Sequence, residues 1–287
     1  MSPKANASRA EGIHEMIIRS ENGELVLTRQ IDHGHESGVL ARLWGNETFA
    51  RPVPFDELVD ACGRHDEAWR DLDEKPTVDP QSGQPHSFMT MPLERLLPAY
   101  RDGAERIARD NPYGGFLVAM HYQGFFNQRF GLDQGLIGRT ADESHRALID
   151  EYFSAMQMMR GRFRSQAIER QRLLCRWATS PETTHAYLLL QVVDVISLFL
   201  CLGPGRTWPL GIVPKTIGGT PVTMELRPSP DPGTYHVTPW PFQRDQPIVL
   251  RFPVRRIPDH PYTSSSELQQ MISNSALTNQ SYTLVEP

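Results

Sequence analysis

The strongest candidates for chemistry in this chain are His65 and Asp66, in the run Gly63-Arg64-His65-Asp66-Glu67 late in an expected helix. Leu58, Ala61, Cys62 and Trp69 lie at helical spacing from His65, which puts the imidazole on or beside a buried stripe. Burying a His next to an Asp is costly unless both are paired or bound to a metal. Three distant residues could meet this pair: His33, His121 and Asp194. Asp194 is the most informative, because Leu188, Leu189, Leu190, Val192, Val193, Val195, Ile196, Leu198 and Phe199 surround it in sequence. An ionised carboxylate cannot stand alone there, so it must be neutral, paired with an Arg or His, or ligating a cation. Taken singly, His33 reads equally as an exposed helix-start residue and His121 as a core imidazole donating to a carbonyl. Taken together, imidazoles and carboxylates on separate helices are what a helical protein uses to hold a metal. Asp32, Glu36 and Glu67 are candidate acceptors for fixing the histidine tautomers.

These residues need elements to position them. His14 to Ser20 and Glu24 to Gln30 read as strands of a hairpin turned at Asn22-Gly23. Asp32 is placed to cap a helix through His33, Val39, Leu40 and Leu43 that ends near Gly45-Asn46. Pro52 and Pro54 precede a second helix, Phe55 to about Leu72, carrying His65 and Asp66. Asp73 to Pro92, rich in Pro, Gly, Asp and Ser, reads as a long loop of the kind that covers active sites. Leu93 to Ala108, kinked at Pro98, and Tyr113 to about Arg129, started by Asn111-Pro112 and carrying His121, read as the third and fourth helices. Thr140 and Glu143 have capping-box spacing for a fifth that runs to Ala178 with an Arg-rich outer face. Ser180-Pro181-Glu182 starts the last long helix, which Gly203 stops after Leu202. Beyond Gly203, short alternating runs at Pro221 to Leu226, Gly233 to Val237 and Ile248 to Phe252 read as strands, with a closing helix at Glu267 to Ser275.

Composition bounds the function class. A chain of 287 residues with 39% hydrophobic and 22% charged residues can bury a sizeable core. The formal charge of −5 argues against general nucleic-acid or anionic-membrane binding. Met1 to Ala10 lacks an apolar signal-peptide core. Tyr187 to Leu202, the most apolar stretch, is interrupted by Gln191, Asp194 and Ser197 and is too short to span a bilayer. Cys62, Cys175 and Cys201 have no metal-site or disulfide-framework spacing, as expected of reduced thiols in a cytoplasmic protein. There is no G-x-S-x-G nucleophile elbow, and Gly114-Gly115 and Gly218-Gly219 match neither a phosphate loop nor a dinucleotide fingerprint.

The order His33 … His65-Asp66 … Asp194, spread over successive helices, resembles the HD-domain superfamily of metal-dependent phosphohydrolases. Asp32-His33-Gly34-His35-Glu36-Ser37-Gly38, Gly63-Arg64-His65-Asp66-Glu67-Ala68-Trp69, Tyr113 to His121 and Val193 to Leu198 also resemble a group of uncharacterised bacterial proteins associated with that superfamily. The resemblance implies a divalent metal on His33, His65, Asp66 and Asp194. In members with two metals, further histidines fall between the doublet and the last Asp; His121 and His86 hold those places, as a fifth and a sixth candidate ligand. The chain departs from the superfamily at Glu67-Ala68-Trp69, where many members have a short apolar residue and a Gly. The Lys or Arg that usually binds phosphate is not identifiable.

The expectation is therefore a mainly α, HD-like helical core, with a small β element contributed by the N-terminal hairpin and the C-terminal region. The chain divides into a disordered tail (1–13), the hairpin plus helical core (14–203) and a Pro-rich, β-containing extension packed on it (204–287). The expected function is metal-dependent hydrolysis of a small-molecule phosphoester or amide, using one or two Fe, Mn, Zn or Ni ions to activate water. Asp66 would hold or bridge metal, and Glu67 or Asp73 would serve as general base. The alternatives are a mixed-valent di-iron oxygenase and a non-catalytic binding module. A small molecule is the expected partner, without nucleic acid or membrane, and self-association is left open.

Overall fold

The computed structural model describes residues 14–132, 143–171, 181–203, 205–243 and 246–287. Asn22 and Gly23, both at positive φ (54° and 82°), close a hairpin between β1 (His14–Glu21) and β2 (Glu24–Thr28). That hairpin is one edge of a much larger sheet. The C-terminal chain adds β3 (Trp208–Val213), β4 (Val222–Pro228), β5 (Thr234–Thr238), β6 (Ile248–Pro258) and β7 (Leu277–Val285). All seven strands join in the order β1-β2-β6-β7-β5-β4-β3, with β5 and β7 parallel and the other neighbours antiparallel. Of the described residues, 49% are helical and 22% lie in strands, the strands forming one curled mixed sheet, a half-barrel.

This corrects the expectation of a mainly α, HD-like bundle with a small β element; the chain is not all-α. The missed strands have weak patterns. β7 begins Leu-Thr-Asn-Gln-Ser, largely exposed, and buries only Tyr282 and Leu284 near its end. β3 carries Pro209 and Gly211, residues tolerated mainly on an edge strand. β6 alternates cleanly, burying Ile248, Leu250, Phe252 and Val254, and continues past Pro253. Pro253 lies one residue beyond the last β2 pairing, Thr28 with Val254, where a missing N–H is least disruptive.

The helices are α1 (Gln30–Leu43), α2 (Phe55–Gly63), α3 (Arg70–Glu74), α4 (Leu93–Ala108), α5 (Pro112–Gly124), α6 (Arg146–Arg170), α7 (Glu182–Cys201) and α8 (Ser265–Asn274). Asn111 starts α5 by accepting the Gly114 N–H at 2.8 Å, with Pro112 at the first helical position. Asp32 does not cap α1. It pairs with Arg29, while the distant Asp73 accepts the N–H of Gln30 at 2.9 Å. The α6 start expected at Thr140 to Asp142, its end at 172–178, the Ser180 cap and the tail at 1–13 lie outside the described residues, as does Cys175.

The expected helix from Phe55 to Leu72 is broken. α2 ends at Gly63, Arg64 and Asp66 leave helical geometry, and a 3₁₀ turn, Glu67–Trp69, leads into α3. The break has a chemical consequence. Consecutive residues on a helix point about 100° apart, whereas here His65 and Asp66 turn toward the same point. Close packing fixes the break on two sides. A Cβ on Gly38 of α1 would sit 2.8 Å from Gly63 Cα, and one on Gly103 of α4 would sit 2.5 Å from Ala68 N. The Ala68 N–H also donates to Tyr122 Oη of α5 at 3.2 Å.

α7 runs through the middle, with nearly every side chain from Thr183 to Cys201 buried. Among the described residues it is the one helix long and apolar enough to cross a membrane, but 89% of that window is buried within the fold. It has the character of a soluble protein's core helix.

Candidate metal centre

α1, the break after α2, and α7 bring four side chains to one point. His33 Nε2 lies 3.1 Å from Asp66 Oδ2 and 3.3 Å from Asp194 Oδ1. His65 Nε2 lies 3.5 Å and 3.3 Å from the same two oxygens. The two Nε2 atoms are only 3.2 Å apart, and all four residues are buried.

The outer nitrogens explain why both Nε2 atoms face inward. His65 Nδ1 is 2.8 Å from the Cys62 carbonyl, which can only accept, so Nδ1 carries the proton. Ser197 donates its hydroxyl to the His33 carbonyl at 2.8 Å, leaving its oxygen to accept from His33 Nδ1 at 2.9 Å. In the neutral rings both Nε2 lone pairs then point at the carboxylates, an arrangement suited to a shared cation and otherwise held together by protons. The electrostatics agree. Burial disfavours protonation of these imidazoles, but Asp194 and Asp66 outweigh it, raising His33 and pushing His65 up to about 9. Burial likewise opposes ionisation of Asp194, yet the His65 charge and the His33 and His65 hydrogen bonds hold it well below the usual carboxylate range. Positive charge is strongly favoured at this point.

His121, on α5, joins the cluster from the side. Its ligating atom groups with those of His65 and Asp66 within 4.8 Å, as those of His33, His65 and Asp194 group with one another. Its Nε2 is 3.9 Å from Asp194 Oδ2, buried, and without a hydrogen-bond partner. Its Nδ1 is 2.8 Å from Gln191 Nε2, and Gln191 Oε1 accepts from Arg129 Nε at 2.9 Å.

The structure does not bring the remaining candidates to this point. His86 belongs to neither group of converging ligand atoms; its backbone N–H bonds to Thr77 and the charges acting on it come from Asp79 and Arg95. Glu67 turns to the other side of the break, where Arg70 holds both its oxygens at 2.7 and 2.9 Å and Arg106 Nε approaches to 3.3 Å. Burial raises Glu67, but the Arg70 hydrogen bond and the surrounding arginines bring it below its usual value, leaving a tied carboxylate rather than a base. Asp73 is buried at the start of α1, raised well above the usual range by burial and then by the Asp66 charge, and it serves the α1 backbone. The acceptors that fix the histidines are Ser197 and the Cys62 carbonyl, not Asp32, Glu36 or Glu67. The sequence signal for the α7 partners was available: Gln191, Asp194 and Ser197 are spaced three apart, on one helix face.

Beside the cluster is a cavity of about 590 Å³, counting the space at its open mouth, with His33, Asp66, His121 and Asp194 on its wall. The rest of the wall is mainly aromatic and aliphatic: Trp69 follows the doublet, Phe88 comes from the 73–92 loop, Phe125 follows α5, and Phe199 belongs to α7. Trp208 of β3 meets Phe199 edge-on with ring centres 4.8 Å apart, so the C-terminal sheet helps build the site.

No curated protein and no solved structure gives a significant match to the chain. The family model described as "Protein of unknown function (DUF3891)" matches residues 16–259, and the chain belongs to that family.

Proposed function

We propose that this protein is a metal-dependent hydrolase of a small organic ester, amide or phosphoester. One observation carries the reading: two buried imidazoles present their Nε2 atoms 3.2 Å apart, against two buried carboxylates, with each outer Nδ1 held by an oxygen acceptor. That donor set, two nitrogens and two carboxylates, fits a divalent Fe, Mn, Zn or Ni ion. The resemblance of the order His33 … His65-Asp66 … Asp194 to HD-superfamily metal enzymes supports the same reading. A divalent ion held there would lower the pKa of a water and polarise a substrate oxygen.

The chain's own residues supply the rest. Asp194 divides its two oxygens: Oδ1 faces His33 and His65, and Oδ2 faces His121, where it can accept a hydrogen bond from the attacking water. The water oxygen bonds to the carbonyl carbon or phosphorus, the bond to the leaving nitrogen or oxygen breaks, and a water proton ends on the leaving group. The apolar walls keep other water away. The buried Cys62 thiol, pushed far up by burial, is no competing nucleophile. A single ion is favoured over a di-iron centre, because His86 does not join the converging ligands. The same reading takes the protein as cytoplasmic, with Cys62 and Cys201 as buried free thiols.

The test is an ester, amide and phosphoester panel with metal-loaded protein, beside an Asp194→Ala variant. Turnover lost in the variant together with bound metal supports the reading. Full activity in a folded, metal-free variant would overturn it.

A further inference from the structure

His121 differs from His33 and His65 in which nitrogen carries the proton. An arginine can only donate, so the Arg129 Nε contact at 2.9 Å fixes the near atom of Gln191 as its oxygen. The Gln191 amide nitrogen then faces His121 Nδ1 at 2.8 Å and donates to it. A neutral His121 with a filled Nδ1 lone pair carries its proton on Nε2, and Nε2 is the atom left without a partner at the cavity wall. The chain holds this arrangement against local strain: Gln128, Arg129 and Phe130 all take left-handed φ values of 52°, 51° and 59°, while Arg129 stays buried. Non-glycine residues are strained in that region, and such strain gathers at ligand sites.

We propose that His121 is not a metal ligand but a substrate hydrogen-bond donor, and that the cavity takes a small acyl compound. Its aromatic or branched-alkyl body packs against Phe125, Phe199 and Trp208, and its carbonyl or carboxylate oxygen accepts from His121 Nε2–H. Outside the two acids and two imidazoles, the lining residues with polar groups are Gln30, Tyr100, Arg129 and the indoles of Trp69 and Trp208, and the Arg129 Nε is engaged by Gln191. The His121 Nε2–H, on a wall that is mainly aromatic and aliphatic, suits one oxygen on an apolar body; a sugar or nucleotide would leave many polar groups unmatched. The assignment of the oxygen to a reacting group rests on the hydrolase reading, but the donor and the cavity do not.

The experiment is ¹H–¹⁵N correlation on full-length protein labelled with ¹⁵N-histidine and ¹⁵N-tryptophan, two-bond for the imidazoles and one-bond for the indoles, with and without Zn(II), followed by titration with phenylacetate and with acetate. His121 is expected to show the Nε2–H tautomer in both states, while Zn(II) shifts the Nε2 signals of His33 and His65. Phenylacetate should move His121 Nε2 and the Trp208 indole at least tenfold more tightly than acetate. Gln191→Leu should release the tautomer and weaken phenylacetate at least tenfold, with His121→Ala as the second variant. A Zn(II)-bound Nε2 on His121, or equal binding of acetate and phenylacetate, overturns the proposal. Zn(II) binding to none of the three histidines would instead overturn the metal reading, while tautomer and phenylacetate binding still decide this one.

Discussion

Gly38→Ala tests whether the α1–α2 contact positions the ligands. The new Cβ would lie 2.8 Å from Gly63 Cα and 3.2 Å from Gly63 N, both backbone atoms that cannot rotate away. Carbon atoms pack at about 3.5–4.0 Å, so the two helices must part by roughly 1 Å. Overpacking of this kind costs about 1–3 kcal/mol, and Ala returns about 1 kcal/mol of helix propensity over Gly. The net expectation is a loss of up to about 2 kcal/mol, seen as a fall in melting temperature of up to about 8 °C in a domain of this size. The larger effect is on the site. α1 carries His33 and the segment after α2 carries His65 and Asp66, while metal–ligand distances tolerate only about 0.2 Å. Metal affinity should therefore fall at least about tenfold, which isothermal titration with Mn(II) or Zn(II) would read. Gly161→Ala in α6 is the control: it is exposed, nothing lies within 4 Å of its Cβ, and it should be neutral or stabilising by up to about 1 kcal/mol. If both variants matched the wild type in melting temperature and metal affinity, the argument from helix contact would be refuted.

Two further outcomes follow from the hydrogen bonds and charges around the cluster. Ser197→Ala removes the acceptor of His33 Nδ1 without replacing a proposed ligand, and should lower metal affinity about 10–100-fold in the same titration while leaving the fold intact. The metal-free protein should lose stability as pH rises. His65 is raised from 6.5 to about 9, so its contribution is fully present below pH 6.5 and disappears as pH passes through about 9. Metal binding must displace that proton, so affinity should climb with pH over the same window; denaturant melts and titrations from pH 6 to 10 would check both.

Much of the site could be read from the sequence because its energetics are local. Asp194 stands out in an apolar helix, and no buried carboxylate is stable there without a partner, so its residue type alone demanded something like His33 and His65. Gln191 and Ser197 interrupt the same helix on the same face, and their spacing marks them as its neighbours. The break after Gly63 was harder to see. It depends on close approaches by Gly38 and Gly103, from helices distant in sequence, and without it Glu67 reads as part of the site rather than as the partner of Arg70 and Arg106. The sheet was legible in the β1–β2 hairpin and in the alternating runs of β4, β5 and β6, but β3 was not, with Pro209 and Gly211 in its run. β7 was not, because its first half is polar and is held by pairing with β6 rather than by burial. Trp208 could not be assigned to the cavity from sequence, since only closure of β3 against α7 brings it beside Phe199.

The central claim is that His33, His65, Asp66 and Asp194 hold a divalent ion, and elemental analysis of the purified protein tests it most directly, beside a His65→Ala, Asp66→Ala double variant. The expected result is one equivalent of Fe, Mn, Zn or Ni per chain in the wild type and none in a folded double variant. No metal in the wild type after reconstitution, or equal metal in both proteins, would contradict the claim and leave the cluster as a buried network of protonated imidazoles and carboxylates.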